Sequence, residues 1–177
     1  MRNIEGAYGT NQNWLATYGE TTPFWAARAC GVAAATNVLL QEERVTERQA
    51  AVRMGAVFRQ MKPKWWGMPS MHSWLRHMQK LAHSQGCTLQ MSKPHHTDER
   101  ALRQFIEHSL ARGQFVVVLH WWHPIKMLRY HWVTITASNE RGLTISSWGK
   151  RYTFTWEEWF RRSFHAKYVG LKLIAIL

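Results

Sequence analysis

The 177-residue sequence has few cysteines and no long apolar segment. Two cysteines, Cys30 and Cys87, are too few for a disulfide scaffold and suit a reducing compartment. The N-terminal residues lack an apolar core of signal-peptide length, and the apolar C-terminal run is too short to cross a bilayer. We therefore expect a cytoplasmic protein without a membrane span, or a secreted one if a leader has been removed.

Acidic residues are also scarce. The chain has 11 of them against 23 lysines and arginines, which gives a formal charge of +12 with neutral histidines. Such an excess predicts an anionic partner, but charge alone does not choose among nucleic acid, a lipid surface and an acidic peptide or polymer. The basic residues are spread along the chain, a pattern typical of a solvated basic surface.

Apolar residues and tryptophan, by contrast, are abundant. Apolar residues make up 46% of the chain, which contains eleven tryptophans, so extended disorder is excluded. The length suits one compact domain, and no repeat, linker or low-complexity tract marks a boundary. We therefore predict a single domain over residues 1–177.

The first two thirds of the chain favour helices. Apolar stripes and end signals predict four of them: about 29–42, from Thr46 to Pro63, from Met71 to Gly86, and from Thr97 to Gly113. A capping box between Thr46 and Gln49 opens the second helix. The segment "CTLQM" between the third and fourth helices is a strand candidate.

The last third consists of β-branched and aromatic runs separated by turn residues, beginning with "FVVVLHWW" and "YHWVTITAS". One short helix, from Trp156 to Ser163, is predicted by a capping box between Thr155 and Glu158. Helices followed by a mostly antiparallel sheet make an α+β fold.

Cys30 stands where the first predicted helix begins. A thiol in a first helical turn has its pKa lowered by the helix dipole and the free amide groups, and Gly31 would let a substrate approach the backbone. Free cysteines are also among the most buried residues, so the local pattern leaves a core role open. Cys87 is interpreted as structural.

A nucleophilic cysteine needs a base, and His131 is the candidate. Strand alternation places it on the face of Val133 and Ile135, where an imidazole needs a polar partner. His120 and His123 would face opposite ways in a continuous strand. Without a His-Glu-x-x-His or paired-cysteine pattern, we expect neither a metal site nor a cofactor.

Three segments in this order, "ACGVAAATNVL", "HWVTITA" and "ISSWGKRYTFTWEEW", resemble the papain-like cysteine peptidases. The bacterial branch that includes the bacteriocin leader peptidases, which cleave after double-glycine leaders, is the most similar. The resemblance covers most of the chain. It implies a papain-like fold, with N-terminal helices packed on a mostly antiparallel C-terminal sheet.

The same resemblance implies roles for four residues. Cys30 would be the nucleophile, His131 its base and Gln12 a stabiliser of the oxyanion. The family's orienting Asn or Asp falls on Ser146, whose neutral hydroxyl supports an imidazolium less well than a carboxylate does. Asn139 or a backbone carbonyl could fill that role instead.

We therefore interpret the chain as a cysteine-dependent hydrolase that cleaves an anionic peptide or protein through an acyl-enzyme, with acyl transfer left open. A basic nucleic-acid-binding module is one alternative, because charge and aromatic residues together could bind phosphates and bases. An inactive papain-like interaction protein is another, given Ser146. The oligomeric state is not predicted.

Overall fold

The computed structural model describes residues 4–40, 43–161 and 166–176, and it shows an α+β architecture. The helices are α1 Trp14–Thr17, α2 Pro23–Ala26, α3 Cys30–Leu39, α4 Glu47–Met61, α5 Met71–Ser84, α6 Glu99–Ala111 and α7 Trp156–Phe160. The strands are β1 Cys87–Ser92, β2 Phe115–His120, β3 His131–Ser138, β4 Gly142–Ser147, β5 Lys150–Thr155 and β6 Lys167–Ala175. A 3₁₀ turn, Lys126–Leu128, lies between β2 and β3.

The strands form one antiparallel sheet in the order β1-β6-β2-β3-β4-β5. The predicted fold class is therefore confirmed. Strands β3, β4 and β5 follow one another through short turns, whereas β6 returns to pair between β1 and β2. This return places β2 and β3 in the middle of the sheet, where both faces are covered.

One face of the sheet packs against α3 and α5, and α4 packs on these two helices. Helix α3 is rich in alanine, so its axis comes close to β3, and α5 presents the stripe that its sequence predicts. Large buried members of this cluster are Val32, Met54, Trp74, Met78, Val117, Leu119 and Trp132. We call this the α3 face.

The other face packs against α6 and α7. Alternate residues of the same strands point here, because side chains along a strand switch faces at each position. Large buried members are Ile106, Val116, Val118, Val133, Ile135, Ile145, Trp159 and Tyr168. We call this the α7 face.

Local signals placed most helix ends correctly. The capping boxes of Thr46 with Gln49 and of Thr155 with Glu158 are both present, as predicted. The expectation for α6 was wrong by one residue, because the side chain of Asp98, not of Thr97, accepts the hydrogen bond from the Ala101 amide.

The remaining differences concern helix lengths and two short helices. Helix α3 ends at Leu39, and the rest of its predicted span includes residues 41–42, outside the described residues. Helix α7 ends at Phe160, and the predicted end at Ser163 also lies outside them. Helices α1 and α2 were not predicted; each has only four residues, too few to show an apolar period.

Candidate active site

Cys30 is the first residue of α3, and its side chain is half-buried. A Cβ added at Gly31 would lie 3.3 Å from the Trp132 indole nitrogen and 3.4 Å from the Met68 side chain. Gly31 therefore lets β3 and the segment before α5 pack against the start of α3. Trp132 and Met68 therefore occupy the space beside Gly31 in which a substrate was expected.

Burial raises the pKa of the Cys30 thiol above its ordinary value. Hydrogen bonds from the backbone of Trp132, Gly31 and Cys30 itself act in the opposite direction but do not overcome burial. The expectation that the helix start lowers the pKa of the Cys30 thiol was therefore wrong. Cys30 is a neutral thiol at rest.

His131 is the first residue of β3 and is only 6% exposed. Burial lowers its pKa to about 4, so the resting imidazole is neutral. Its Nε2 lies 2.8 Å from Ser147 Oγ, and its ring stacks on Trp148 with centroids 4.2 Å apart and an interplanar angle of 7°. Two contacts thus fix the ring and leave Nδ1 available.

Trp148 is held in an unusual backbone conformation. With Gly149 it forms the two-residue turn between β4 and β5, and both residues have positive φ, of 48° and 70°. A type I′ turn requires this geometry, but the first position normally holds Asn, Asp or Gly. The strained tryptophan covers the His131 ring and separates it from solvent on that side.

The predicted orienting residue, Ser146, makes no hydrogen bond to His131. Its hydroxyl donates to the Tyr8 carbonyl at 2.8 Å and accepts from Asn37 Nδ2 at 3.3 Å. Ser146 pairs with Thr134 in the sheet and shares its face, whereas His131 lies on the opposite face. The contact with His131 belongs to Ser147, one residue further along.

The alternative candidate for that contact, Asn139, lies at the other end of β3. Its side-chain oxygen accepts hydrogen bonds from the amides of Arg141 and Gly142 in the β3–β4 turn. His131 begins the eight-residue strand, and Asn139 follows its end. Asn139 therefore cannot orient the imidazole.

A small cavity brings the sequence-predicted residues together. Cys30, His131, Gln12 and Ser146 all line it, along with Ser147. Its volume is only about 10 Å³, which is about the space of one water molecule. Among the described residues, Cys30 and His131 make no direct hydrogen bond, a common situation in substrate-free thiol sites.

Gln12 is buried and held in place beside Cys30. Its amide Nε2 donates to the Ala27 carbonyl at 3.0 Å, which uses one of its two hydrogens. Gln12 lines the cavity together with Cys30, and no Asp or Glu belongs to the described cavity lining.

His120 and His123 both point into the α7 face, contrary to the expectation of opposite faces. Strand β2 ends at His120, so alternation does not extend to His123, and the two rings meet edge-on with centroids 5.2 Å apart. Across the described ranges, no group of three or more His, Cys, Asp or Glu side chains is arranged to hold a metal ion.

Exposed aromatic residues flank the start of α3 and the start of β3. The helix-side rim consists of Phe24, Trp65 and Trp66, and the strand-side rim of Trp121, Trp122 and Tyr130. Cations lie against both rims, with Arg28 over Phe24, Lys64 over Trp66 and Arg129 over Trp122. Arg28 also donates to the Trp65 carbonyl, which ties the helix-side rim to the turn that precedes Cys30.

A larger groove, of about 1090 Å³, lies away from Cys30, between residues 4–8 and the β4–β5 turn. Its lining includes Arg44, Lys150 and Arg151 but neither Cys30 nor His131. Size alone therefore does not locate the chemistry. In the part of the chain described, no helix has the length and apolar character needed to span a membrane.

No protein-family model matches the sequence, and no curated protein matches it either. Among solved structures, the fold is similar to the peptidase domain of Streptococcus ComA, a bifunctional ABC transporter involved in a quorum-sensing pathway. The TM-score is 0.51 at 14% identity, and the match covers 82% of this chain and 92% of that one. This likeness shows the fold alone: the chain has the α+β fold of a papain-like peptidase domain.

Proposed function

We propose that this protein is a cysteine-dependent peptidase in which Cys30 and His131 form the reacting pair. The observation that carries the proposal is that both side chains line one small cavity, with Gln12 beside them. The similarity of the fold to a peptidase domain supports the same assignment. Neither a sequence motif nor the fold would be sufficient alone.

The reaction starts from a neutral pair, since burial disfavours both the thiolate and the imidazolium. His131 Nδ1 takes the thiol proton while Sγ bonds to the carbonyl carbon of the peptide. The C–N bond then breaks, the leaving amine takes the proton from His131, and a thioester remains on Cys30. Water attacks the thioester, its proton passes through His131 to Sγ, and the carboxylic acid leaves.

Two further groups assist these steps. Ser147 binds Nε2 and so keeps Nδ1 directed toward the cavity. The amide group of Gln12 and the first-turn amides of α3, which lie against the Cys30 thiol at rest, stabilise the oxyanion that forms on the carbonyl oxygen. An amine in place of water at the second step would give acyl transfer.

The cavity is too small to enclose a peptide, so the proposed substrate lies across its mouth. Residues on either side of the cut would then extend toward the exposed aromatic residues near the starts of α3 and β3. Exposed aromatic rings with cations on their faces suit a segment that carries apolar side chains and carboxylates. An anionic peptide is therefore the proposed substrate. Single-stranded nucleic acid fits the same surface chemistry and is the competing candidate.

Peptide cleavage tests the proposal directly. Wild type and Cys87→Ala are incubated with a mixed library of acidic and neutral peptides, and the products are mapped by mass spectrometry. Wild type and Cys87→Ala should cleave the same bonds. Cys30→Ala, which removes only the thiol, should give no cleavage products. Cleavage by Cys30→Ala at the wild-type rate would refute the assignment.

A labelling experiment and a binding titration distinguish the peptidase from a nucleic-acid-binding module. Iodoacetamide at neutral pH should label Cys30 before Cys87 although burial raises the pKa of Cys30, because His131 across the cavity accepts the thiol proton as Sγ attacks. Titration of Cys30→Ala with a single-stranded oligonucleotide at several salt concentrations tests the other candidate. A steep linear fall of log affinity with log salt, with no peptide cleaved by wild type, would favour the nucleic-acid function.

A further inference from the structure

His120 is a buried imidazole without a hydrogen-bond partner. It is 0% exposed, and neither ring nitrogen is bonded to any described residue. Burying polar atoms in this way is unfavourable, and an apolar side chain of similar shape would avoid the cost. The packing of the fold gives no reason for a histidine here.

The position of His120 connects it with the proposed active site. It ends β2 and is the direct cross-strand partner of His131, which begins β3. Directly opposed residues project side by side from the same face, with Cβ atoms about 4.5–5.5 Å apart. His120 therefore stands next to the imidazole proposed as the base.

The other groups around His120 are one histidine and two aromatic rings, and among them the Trp159 indole N–H also has no hydrogen-bond partner in the described residues. His123, from the segment after β2, accepts from the Ile125 amide through Nδ1, and its Nε2 lies 2.9 Å from the Trp159 carbonyl. Tyr168 of β6 and Trp159 of α7 present ring edges to His120. The titratable groups that face it are thus His131, His123 and Tyr168, and Arg129 is the charge that acts on His123.

His131 needs stabilisation when it accepts the thiol proton. Its hydrogen-bonding side-chain partner is the neutral Ser147 hydroxyl, and no carboxylate belongs to the described cavity lining. A neutral imidazole has one nitrogen with a free electron pair, which a small ring rotation turns toward a neighbouring positive charge. The free electron pair of His120 has no hydrogen-bond donor among the described residues and is therefore available.

We propose that His120 is a positioning residue that stabilises the protonated state of His131 during the reaction. The proposal rests on the thiol chemistry assigned to Cys30 and His131 above. Two adjacent buried imidazoles do not both carry a charge, so His120 stays neutral while His131 holds the proton. The neutral His120 ring and the neutral Ser147 hydroxyl then do part of the work that a carboxylate does in related chemistry.

The test follows the rate at which iodoacetamide alkylates Cys30 as a function of pH, in wild type and in His120→Phe. Phenylalanine keeps the ring shape and removes both nitrogens. We expect the midpoint of the rate profile to move up by about half a pH unit or more, and the rate at pH 7 to fall about threefold. The melting temperature should stay the same or rise.

Two further variants keep the result interpretable. His120→Asn retains a donor and an acceptor and should recover part of the lost rate, which a purely packing role would not produce. His83→Phe changes an exposed histidine at the end of α5 and should leave the profile unchanged. If His120→Phe does not fold, His120→Leu provides the same comparison.

An unshifted profile in a folded His120→Phe or His120→Leu would overturn the proposal for His120 and leave the peptidase assignment intact. Wild-type Cys30 that reacts no faster than Cys87 would instead refute the assignment on which the proposal rests. The two failures appear in different proteins and are therefore distinguishable.

Discussion

The two faces of the sheet treat buried polar groups in opposite ways. On the α3 face, Asn37 accepts from the Thr10 amide and hydroxyl and donates to Thr134 and Ser146, so each of its polar atoms is bonded. On the α7 face, His120 has no partner among the described residues. The first arrangement holds α3 in place, and the second leaves hydrogen-bonding capacity next to the proposed base.

The same contrast distinguishes two adjacent residues of β4, one in the structural network and one beside the proposed base. Ser146 belongs to the satisfied network of the α3 face, and Ser147 contacts His131 on the other side. Ser146 and Ser147 thus have different partners because successive side chains of a strand point to opposite faces of the sheet. Perturbing each face in turn tests this division.

The largest expected effect is acid lability of the α7 face. The folded pKa values of His120 and His131 are about 3 and about 4, below the ordinary 6.5, so their neutral forms are the ones compatible with the fold. Their contribution to stability is complete above pH 6.5 and is lost as the pH falls toward the folded values. Between pH 6.5 and the folded pKa values, each of the two histidines lowers the free energy of unfolding by about 1.4 kcal/mol per pH unit. The loss per histidine is about 2 kcal/mol at pH 5.

Urea unfolding at pH 7.5, 6 and 5 measures this loss. His120→Phe should lose roughly half as much stability as wild type over the same range, because one of the two buried imidazoles is gone. Equal pH dependence in the two proteins would mean that the α7 face does not control acid stability.

The next effect concerns Asn37 on the α3 face. Asn37→Ala removes four hydrogen bonds and leaves buried partners unsatisfied, so the free energy of unfolding should fall by about 2–4 kcal/mol. Urea unfolding at neutral pH gives the value. The control Asn13→Ala, at an exposed position before α1, should change stability by no more than about 0.5 kcal/mol. Equal losses in both variants would contradict the central role of Asn37.

A smaller effect distinguishes the adjacent serines. Ser147→Ala should lower the cleavage rate about threefold to tenfold with little change in melting temperature, since one neutral hydrogen bond is worth about 0.5–1.5 kcal/mol. Ser146→Ala should show the reverse, with lower stability and a nearly unchanged rate. Ser147→Asp should raise the pKa of His131 and preserve or increase the rate. A rate loss confined to Ser146→Ala would reverse the assignment.

The smallest effect is expected at the rims. Arg28→Gln on the helix side and Arg129→Gln on the strand side should each raise KM for an acidic peptide about twofold to fivefold, without affecting a neutral one. The difference should fade above about 0.15 M salt, where the Debye length falls below about 8 Å. Equal KM changes for neutral and acidic peptides would argue against charge recognition.

Local sequence patterns were sufficient for much of the fold, and together with the family resemblance they selected the pair that is proposed to react. The capping boxes at Thr46 and Thr155 need only residues three apart, and the α5 stripe needs only one helix. Cys30 and His131 were predicted because each begins an element, and the structure places both at one cavity. The one-residue error at Asp98 arose because Thr and Asp are both good caps.

Other features depend on residues distant in sequence and could not be predicted. The pKa of Cys30 follows from burial beneath other parts of the chain, which outweighs the favourable helix start. His120 and His123 were assigned to opposite faces because "FVVVLHWW" continues its aromatic pattern past the residue where β2 ends. Only pairing with β3 shows where that strand stops.

The sequence by itself determined the order of helices and strands, the excess of positive charge and the two residues proposed to react, since these depend on composition and local spacing. The tertiary structure alone decided that Ser147 contacts His131 and that His120 lies beside it. The physical reason is register. A shift of one residue turns every side chain of a strand to the opposite face, and hydrogen bonds to neighbouring strands set that shift.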